Sequence, residues 1–236
     1  MSTSRDHCKF SAQSLTNQNY QSWKFKVKML LIREEFGLSE AKGASTPMDP
    51  SYLKLEGEED LLPTNESYRQ AVGALLYIAT TTRPDITAAV GILCRRVSKP
   101  CQRDWNATKR ILQYLKETQR LNLKISASGD LTLRGYVDTD WAGDRSDRKS
   151  TSGYLIKLGE NSISWSGRKQ VSVALSSTEA EYVSPVYTSQ VVIWLKQLLE
   201  DFGKPLAQPT VIYEDNQGCI KLASSEKISA RTKHRL

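Results

Sequence analysis

The sequence changes its hydrophobic spacing near residue 121, and this change constrains the fold more than any other feature. Between residues 67 and 119, apolar side chains recur three and four positions apart, which predicts three helices. From residue 121 onward, apolar and polar residues alternate, which predicts strands over 121–128, 131–140, 151–158 and 161–167. We therefore expect an α/β domain that is preceded by a small helical subdomain.

Further elements follow the alternating block. The spacing predicts a long amphipathic helix from Ser177 to about Phe202, a short strand over Thr210–Tyr213 and a helix from Asn216 to about Ala223. Within the helical block, Arg83-Pro84-Asp85 is expected to open the second helix, which Pro100 ends. Asp104 is expected to be the N-cap of the third.

Composition divides the chain into four segments. Residues 1–35 are basic and carry one predicted helix. Residues 36–66 are acidic and contain proline and glycine, which predicts a linker or a surface loop. The helical subdomain occupies 67–120, and the α/β domain occupies 121–236.

Charge is compatible with a polyanionic partner. The 236 residues include 33 Lys and Arg against 26 Asp and Glu, a net charge of +7, and basic residues cluster in 83–120. Such a cluster fits a phosphate backbone, although solvated helix faces would look the same. No apolar run reaches the roughly 18 residues of a membrane span, and the N-terminus has no apolar signal core. We expect a cytoplasmic or nuclear protein with no membrane partner, whose four cysteines are free thiols.

Three carboxylates occupy positions from which they can meet. Asp138 lies in a strand, Glu181 in the first turns of the long helix, and Asp215 directly after the short apolar strand. Carboxylates at strand ends and in a facing helix turn can converge and bind Mg²⁺ through oxygen. Two such ions, about 4 Å apart, would activate a water and stabilise the leaving oxygen in phosphodiester hydrolysis. Each residue alone also has an ordinary explanation, as a turn former or as the complement of a helix dipole.

Longer motifs carry a resemblance to a known family. Residues 135–235 contain YVDTDWAGDRSDRKSTSGYLIKLG, VALSSTEAEYV, IYEDNQGCIKLA and RTKH. This segment resembles the ribonuclease H domain of Pol polyproteins from copia-type retrotransposons. Upstream, FGLSEAKGASTPMDP and YRQAVGALLYIATTTRPDITAAVGILCRRVSKP resemble the end of the reverse transcriptase of the same family. Within residues 1–35, LTNQNYQSWKFKVKMLLIRE resembles the start of a copia-type Gag protein.

The resemblance implies a ribonuclease H-like mixed sheet with flanking helices, and hydrolysis of RNA in RNA–DNA hybrids during reverse transcription. It places the catalytic, metal-binding acids on Asp138, Glu181 and Asp215, with Mg²⁺ or Mn²⁺ as the cofactor. Glu179 is an alternative to Glu181, which is preferred because the family's metal acid precedes an apolar pair, here Tyr182-Val183. The implied partners are an RNA–DNA hybrid or RNA, and also Gag, with no small-molecule substrate.

Two departures from the family lead us to expect impaired activity. The family has a fourth acid in a downstream Ala-Asp-Ile-type motif, with a final strand and helix, and the sequence ends at Leu236 before reaching them. The domain is therefore expected to be C-terminally incomplete. Pro185 falls within the long helix, where it removes a hydrogen bond to the carbonyl of Glu181 at a cost of about 3 kcal/mol. A helix that begins later would instead place Pro185 in its first turn.

Other activities of such polyproteins are not expected. The motif Tyr136-Val137-Asp138-Thr139-Asp140 only superficially resembles a polymerase Tyr-x-Asp-Asp motif, because its aspartates are not adjacent. No protease or integrase motif is present, and Asp140 and Asp144 are expected to be loop acids. The alternative function is a non-catalytic remnant that binds nucleic acid or Gag.

Overall fold

The computed structural model describes residues 42–54, 60–126 and 131–225. All of them belong to one of the two units into which the chain divides, Lys42–Leu236. The helix predicted within residues 1–35 lies outside the described residues, as do parts of the acidic segment.

Three helices form the first half of this unit: α1 (Glu66–Thr81), α2 (Thr87–Cys94) and α3 (Gln102–Glu117). They were predicted from the periodicity, except that α2 ends at Cys94 because residues 95–98 form turns. A 3₁₀ turn, Pro84–Ile86, precedes α2, where the missing N–H of proline costs nothing. Their common core consists of fully buried side chains, among them Leu75, Ile78, Ile86, Leu93, Ile111 and Leu115.

The start of α3 differs from the prediction. Cys101 is the N-cap residue and Asp104 is the third residue of the helix, where its carboxylate accepts the N–H of Cys101 at 2.9 Å. Asp104 is fully buried and also accepts a hydrogen bond from the hydroxyl of Tyr52. The reciprocal hydrogen bonds between Cys101 and Asp104 cap the N-terminus of α3. The hydrogen bond from Tyr52, which is only 6% exposed, joins part of the predicted linker to α3.

Arg83 is a structural residue, although the sequence grouped it with the basic cluster. Its side chain is 3% exposed and donates hydrogen bonds to Asp85 at 2.7 Å and to the hydroxyl of Thr118 at 2.6 Å. The guanidinium lies 5.5 Å from the ring centre of Tyr114. Arg83 therefore joins the turn before α2 to the end of α3.

The second half contains a four-stranded mixed sheet of order β3-β2-β1-β4. Its strands are β1 (Leu133–Asp140), β2 (Thr151–Leu158), β3 (Asn161–Lys169) and β4 (Val211–Tyr213). The first three pair antiparallel, and β4 pairs parallel to β1. This is the mixed α/β sheet with flanking helices that was predicted, and its order fits a ribonuclease H-like fold.

One predicted strand is wrong. Residues 121–126 have no regular structure, and 127–130 lie outside the described residues. Leu121 and Ile125, the apolar members of the alternating pattern, are 54% and 75% exposed. Alternation indicates a strand only when one face is buried, and these two side chains are mostly exposed among the described residues.

Helix α4 (Ser177–Asp201) covers one face of the sheet, and α5 (Gln217–Ser224) follows β4. Leu133, Ile156, Val192 and Leu195 form the core between α4 and the sheet. A side chain at Gly135 would have its Cβ 3.3 Å from both Thr188 and Ile212, so glycine permits the close approach of α4 to β1.

The helical subdomain covers part of the opposite face. The indole N–H of Trp165 donates to the carbonyl of Ala79 at 2.7 Å, which joins β3 to α1. A Cβ at Gly167 would lie 3.5 Å from the Cα of Ala88, so α2 approaches β3 closely. No helix in the described part of the chain has both the length and the apolarity needed to cross a membrane.

Replacement of Arg83 by Met should destabilise the protein by about 2–4 kcal/mol, because Thr118 loses a donor and Asp85 loses its charged partner and keeps only the hydrogen bond from Tyr114. Chemical denaturation measures this loss. The exposed Lys99→Met is the control and should change stability by less than about 0.5 kcal/mol. A similar, small effect of both substitutions would contradict the structural role of Arg83.

Candidate metal centre

Three acidic side chains converge at one edge of the sheet. Asp138 comes from β1, Glu181 from the second turn of α4, and Asp215 from the loop after β4. One carboxylate oxygen of each lies within 4.8 Å of those of the other two. Asp138 and Asp215 are exposed, whereas Glu181 is only 8% exposed. The structure thus brings together all three acids that the sequence singled out.

Glu179 has a different role. Ser176 is the N-cap of α4 and accepts the N–H of Glu179 at 3.2 Å, while the carboxylate of Glu179 accepts the N–H of Leu175 at 2.7 Å. Residues two apart on a helix point in nearly opposite directions, at about 200°. The motif Ser-Thr-Glu-Ala-Glu therefore uses its first glutamate to cap the helix, and the geometry favours Glu181 for the cluster.

Buried polar contacts hold the start of α4 under the cluster. The hydroxyls of Thr139 and Ser184 are 2.7 Å apart, which joins β1 to α4. The amide of Gln170 donates to the hydroxyl of Ser152 and to the carbonyl of Ala180, both at 2.8 Å. Since Ala180 directly precedes Glu181, these hydrogen bonds fix the position of the backbone that carries the Glu181 side chain.

The environment of Glu181 disfavours its charge. Burial, and then the charges of Glu214, Asp138 and Asp215, raise its pKa to about 7, against a hydrogen bond with Thr139 that lowers it. Its Oε2 atom is buried and has no hydrogen-bond partner. A buried carboxylate oxygen without a donor fits a bound cation. The set of oxygen donors also suits a hard ion such as Mg²⁺.

Glu214 is a further acid of this region that the sequence reasoning missed. Its Oε1 atom accepts the N–H of Asn216 at 2.9 Å, and its Oε2 atom is buried without a partner. Burial, and then the neighbouring charge of Asp215, raise its pKa. Strand alternation could have found it, because Glu214 is two residues after Ile212 and so shares the face that is turned towards α4.

Asp140 and Asp144 lie outside the cluster. Asp144, in the β1–β2 loop, forms ion pairs with Lys169 at 2.5 Å and with Arg95 at 3.5 Å. Burial opposes its ionisation, but hydrogen bonds from Lys169 and Ser146 hold its pKa well below the usual value. Asp144 is therefore a structural acid that joins the helical subdomain to the sheet.

A groove of about 460 Å³ leads to the cluster. Asp138 and Asp140 line one side, and Pro84 and Ile92 from the helical subdomain line the other. The groove therefore lies where the open part of the sheet meets the helices, with Asp138 of the acidic cluster on its wall.

Pro185 lies inside α4, which runs from Ser177 to Asp201. The interpretation that the helix begins later, with Pro185 in its first turn, is wrong. Proline has no N–H, so the carbonyl of Glu181 lacks its donor from within the helix. The local helical structure beside the cluster is weakened as a result.

The fold and the cluster together define an α/β chain with ribonuclease H-like architecture and a candidate metal centre. No family model and no solved structure matches it. A retrovirus-related Pol polyprotein from transposon RE2 of Arabidopsis thaliana is 42% identical over 82% of this chain. The corresponding polyprotein from transposon TNT 1-94 of Nicotiana tabacum is 40% identical over 86% of it. These matches cover 13% and 16% of the two relatives.

The chain belongs to the family of Pol polyproteins of copia-type retrotransposons. It is also 49% identical, over 56% of its length, to a protein of Plasmopara viticola named secreted RxLR effector protein 161, of which the match covers 92%. The chain is thus retrotransposon-derived, and it spans a small part of the polyproteins that it matches.

In metal-free protein, we expect the free energy of unfolding to fall as pH rises from about 4.5 to 7. The pKa of Glu181 is raised from 4.5 to about 7 on folding, so the folded state binds more protons in this range. At about 1.4 kcal/mol per pKa unit, the loss is on the order of 3 kcal/mol. Glu214 acts in the same direction, and Asp144 acts only at lower pH.

Urea denaturation in the presence of a chelator, at several pH values, measures this loss. Glu181→Gln should remove most of the pH dependence between 4.5 and 7. Equal slopes for the variant and the unchanged protein would contradict the assignment to Glu181.

Replacement of Pro185 by Ala should stabilise the protein by about 1–3 kcal/mol, because alanine restores the N–H that the carbonyl of Glu181 lacks. Gln190→Ala, at an exposed position of the same helix, is the control and should change stability by less than about 0.5 kcal/mol. Chemical denaturation gives both values. A less stable Pro185→Ala protein would show that α4 has adapted its packing to the proline.

Proposed function

We propose that the ancestral function of this domain is Mg²⁺-dependent hydrolysis of RNA in RNA–DNA hybrids during reverse transcription, and that this chain retains it at a reduced rate. The observation that carries the proposal is the convergence of Asp138, Glu181 and Asp215 within 4.8 Å. Membership of the Pol family supports it, because reverse transcription leaves RNA in hybrid form. The weakened helix around Pro185 is the reason to propose a reduced rate.

The three acids would have distinct roles at this centre. Asp138 and Asp215 are exposed, so they would hold an ion from the side that is open to substrate. Glu181 would hold the ion from the buried side, where its Oε2 atom has no hydrogen-bond donor. Mg²⁺, with Mn²⁺ as a substitute, supplies activation of a water and stabilisation of the leaving oxygen. The polar contacts of Thr139 and Gln170 keep these ligands in position.

The hybrid would contact the protein through its phosphates. Arg83 and Arg95 are engaged within the protein, so the basic helices contribute fewer phosphate contacts than their composition predicts. Lys99, and Arg148 in the loop after β1, are exposed and have the charge for this contact. Such binding should weaken steeply with salt.

A non-catalytic module that binds nucleic acid or Gag is the second candidate. The effector-named relative favours it, because a protein that is not named as a polyprotein matches 56% of this chain. The hydrogen bond that Pro185 removes within α4 favours it as well. Both candidates would act in the cytoplasm or the nucleus.

Cleavage of a labelled RNA–DNA hybrid in Mg²⁺ or Mn²⁺ tests the first candidate. Asp138→Asn should lower the cleavage rate by at least about 100-fold, because it removes a ligand charge from the centre. Asp201→Asn, at the exposed end of α4, is the matched control and should leave the rate unchanged. No cleavage by the purified protein at any concentration of either ion, together with binding of the hybrid, would establish the second candidate instead.

A further inference from the structure

The face of the sheet that is turned away from α4 carries a stacked tyrosine pair, Tyr136 of β1 and Tyr213 of β4. The register places these residues opposite each other, and their ring centres lie 5.0 Å apart with 16° between the ring planes. The two side chains are 38% and 47% exposed, and the neighbouring Val211 is 52% exposed. Gly135 and Ile212, which alternate with the tyrosines along the strands, contact each other on the side of α4. The tyrosine pair is thus an aromatic surface that is open to solvent in the described part of the chain.

Charged residues flank the tyrosine pair on both sides. Asp138 and Asp215 of the acidic cluster each follow one of the tyrosines by two residues, so the two exposed acids lie directly beside the pair. On the other side, two residues before the tyrosine of β1, Arg134 is paired with Lys157 of β2. Both cations form ion pairs with Glu160, whose side chain is 81% exposed, and such surface pairs are weak enough for a phosphate to compete.

The aromatic surface continues into the groove. Leu155 of β2 is paired with Tyr136, and Trp165 of β3 is paired with Leu155. Leu155 and Trp165 both line the groove that leads to the acidic cluster. An apolar row therefore crosses the whole sheet from β4 to β3, between a basic row and the acidic cluster.

A single strand of nucleic acid matches this order of side chains. Unpaired bases stack on aromatic rings, and lysine and arginine bind the phosphates between them. A duplex hides the faces of its bases, so the tyrosine pair suits unpaired nucleotides. Three exposed apolar side chains between charged rows are also few for a stable protein complex, in which each partner buries about 800 Å².

We propose that this open face of the sheet binds unpaired nucleotides of single-stranded RNA or DNA by stacking of their bases on Tyr136 and Tyr213. Phosphates on one side of the stacked bases contact Arg134 and Lys157, and the strand continues towards the acidic cluster. The inference goes beyond the proposed function, because this binding needs neither a metal nor cleavage and involves nucleotides outside the duplex.

Fluorescence anisotropy of the full chain with labelled oligothymidylate of about 12 nucleotides, in chelator and at low salt, tests the proposal. The matched probe has the same length and the same phosphates, with an abasic site in place of every base. The unchanged protein should bind the abasic probe at least about fivefold more weakly, because stacking is lost. Equal affinity for the two probes would overturn the proposal, since contacts with phosphates alone do not distinguish them.

Substitutions then locate the contact. Tyr136→Leu and Tyr213→Leu keep an apolar side chain and remove the aromatic face, so each should weaken binding of oligothymidylate by at least about fivefold. Their affinity for the abasic probe should stay unchanged, which also shows that the variants are folded. Tyr213→Phe keeps the ring and should bind like the unchanged protein.

Trp194→Leu is the matched control, because it removes an exposed aromatic ring of α4, away from this face of the sheet. Its affinity for oligothymidylate should be that of the unchanged protein. The proposal is wrong if the two tyrosine-to-leucine variants bind as tightly as the unchanged protein, or if Trp194→Leu weakens binding as much as they do.

Sedimentation tests the other occupant of this face, a second copy of the chain. A dimer that Tyr213→Leu dissociates and that oligothymidylate leaves intact would overturn the proposal and assign the face to contact between copies. The proposed function fails separately. A protein that cleaves the hybrid but does not distinguish the two probes lacks only the stacking site, and one that distinguishes the probes but never cleaves lacks only the nuclease activity.

Discussion

The contact between the hydroxyls of Thr139 and Ser184 is the interaction on which the candidate site depends. It joins β1 to α4 at the level where these elements present Asp138 and Glu181. Gln170 adds a second tie from the end of β3 to the carbonyl of Ala180. Burial of an unpaired hydroxyl or N–H group costs free energy, so these hydrogen bonds favour one relative position of helix and sheet more strictly than apolar packing would.

The same part of the structure carries several neighbouring carboxylates, and their mutual repulsion opposes folding. The raised pKa of Glu181 and that of Glu214 show that the protein without metal holds these carboxylates at an energetic cost. The apolar core around Ile156 and Val192, which lies on the same face of the sheet, stabilises the folded state against this repulsion. Binding of a cation would turn the repulsion into attraction, so stability and metal affinity are linked at this centre.

Much of the fold and most of the site could be predicted from the sequence, because periodicity reports which faces are buried. Asp138 followed from its place in a strand, Asp215 from its place directly after a strand, and Glu181 from its place in the helix. Glu214 was missed because an acid on an inward face contradicts the usual pattern, and its burial depends on α4, which is distant in sequence. The structural role of Arg83 was hidden for a similar reason, since Thr118 lies far along the chain. The strand predicted at 121–128 failed because alternation cannot reveal whether a partner exists.

The close approach of α2 to β3 at Gly167 bears on the width of the groove. A Cβ at Gly167 would meet the backbone of Ala88, and a Cβ at Gly91 would lie 3.4 Å from the carbonyl oxygen of Gly167. The small residues at this contact therefore allow α2 to lie against β3 at van der Waals distance. A methyl group at either position would fit at an ordinary contact distance, whereas a larger side chain would push the helical wall outward and widen the groove.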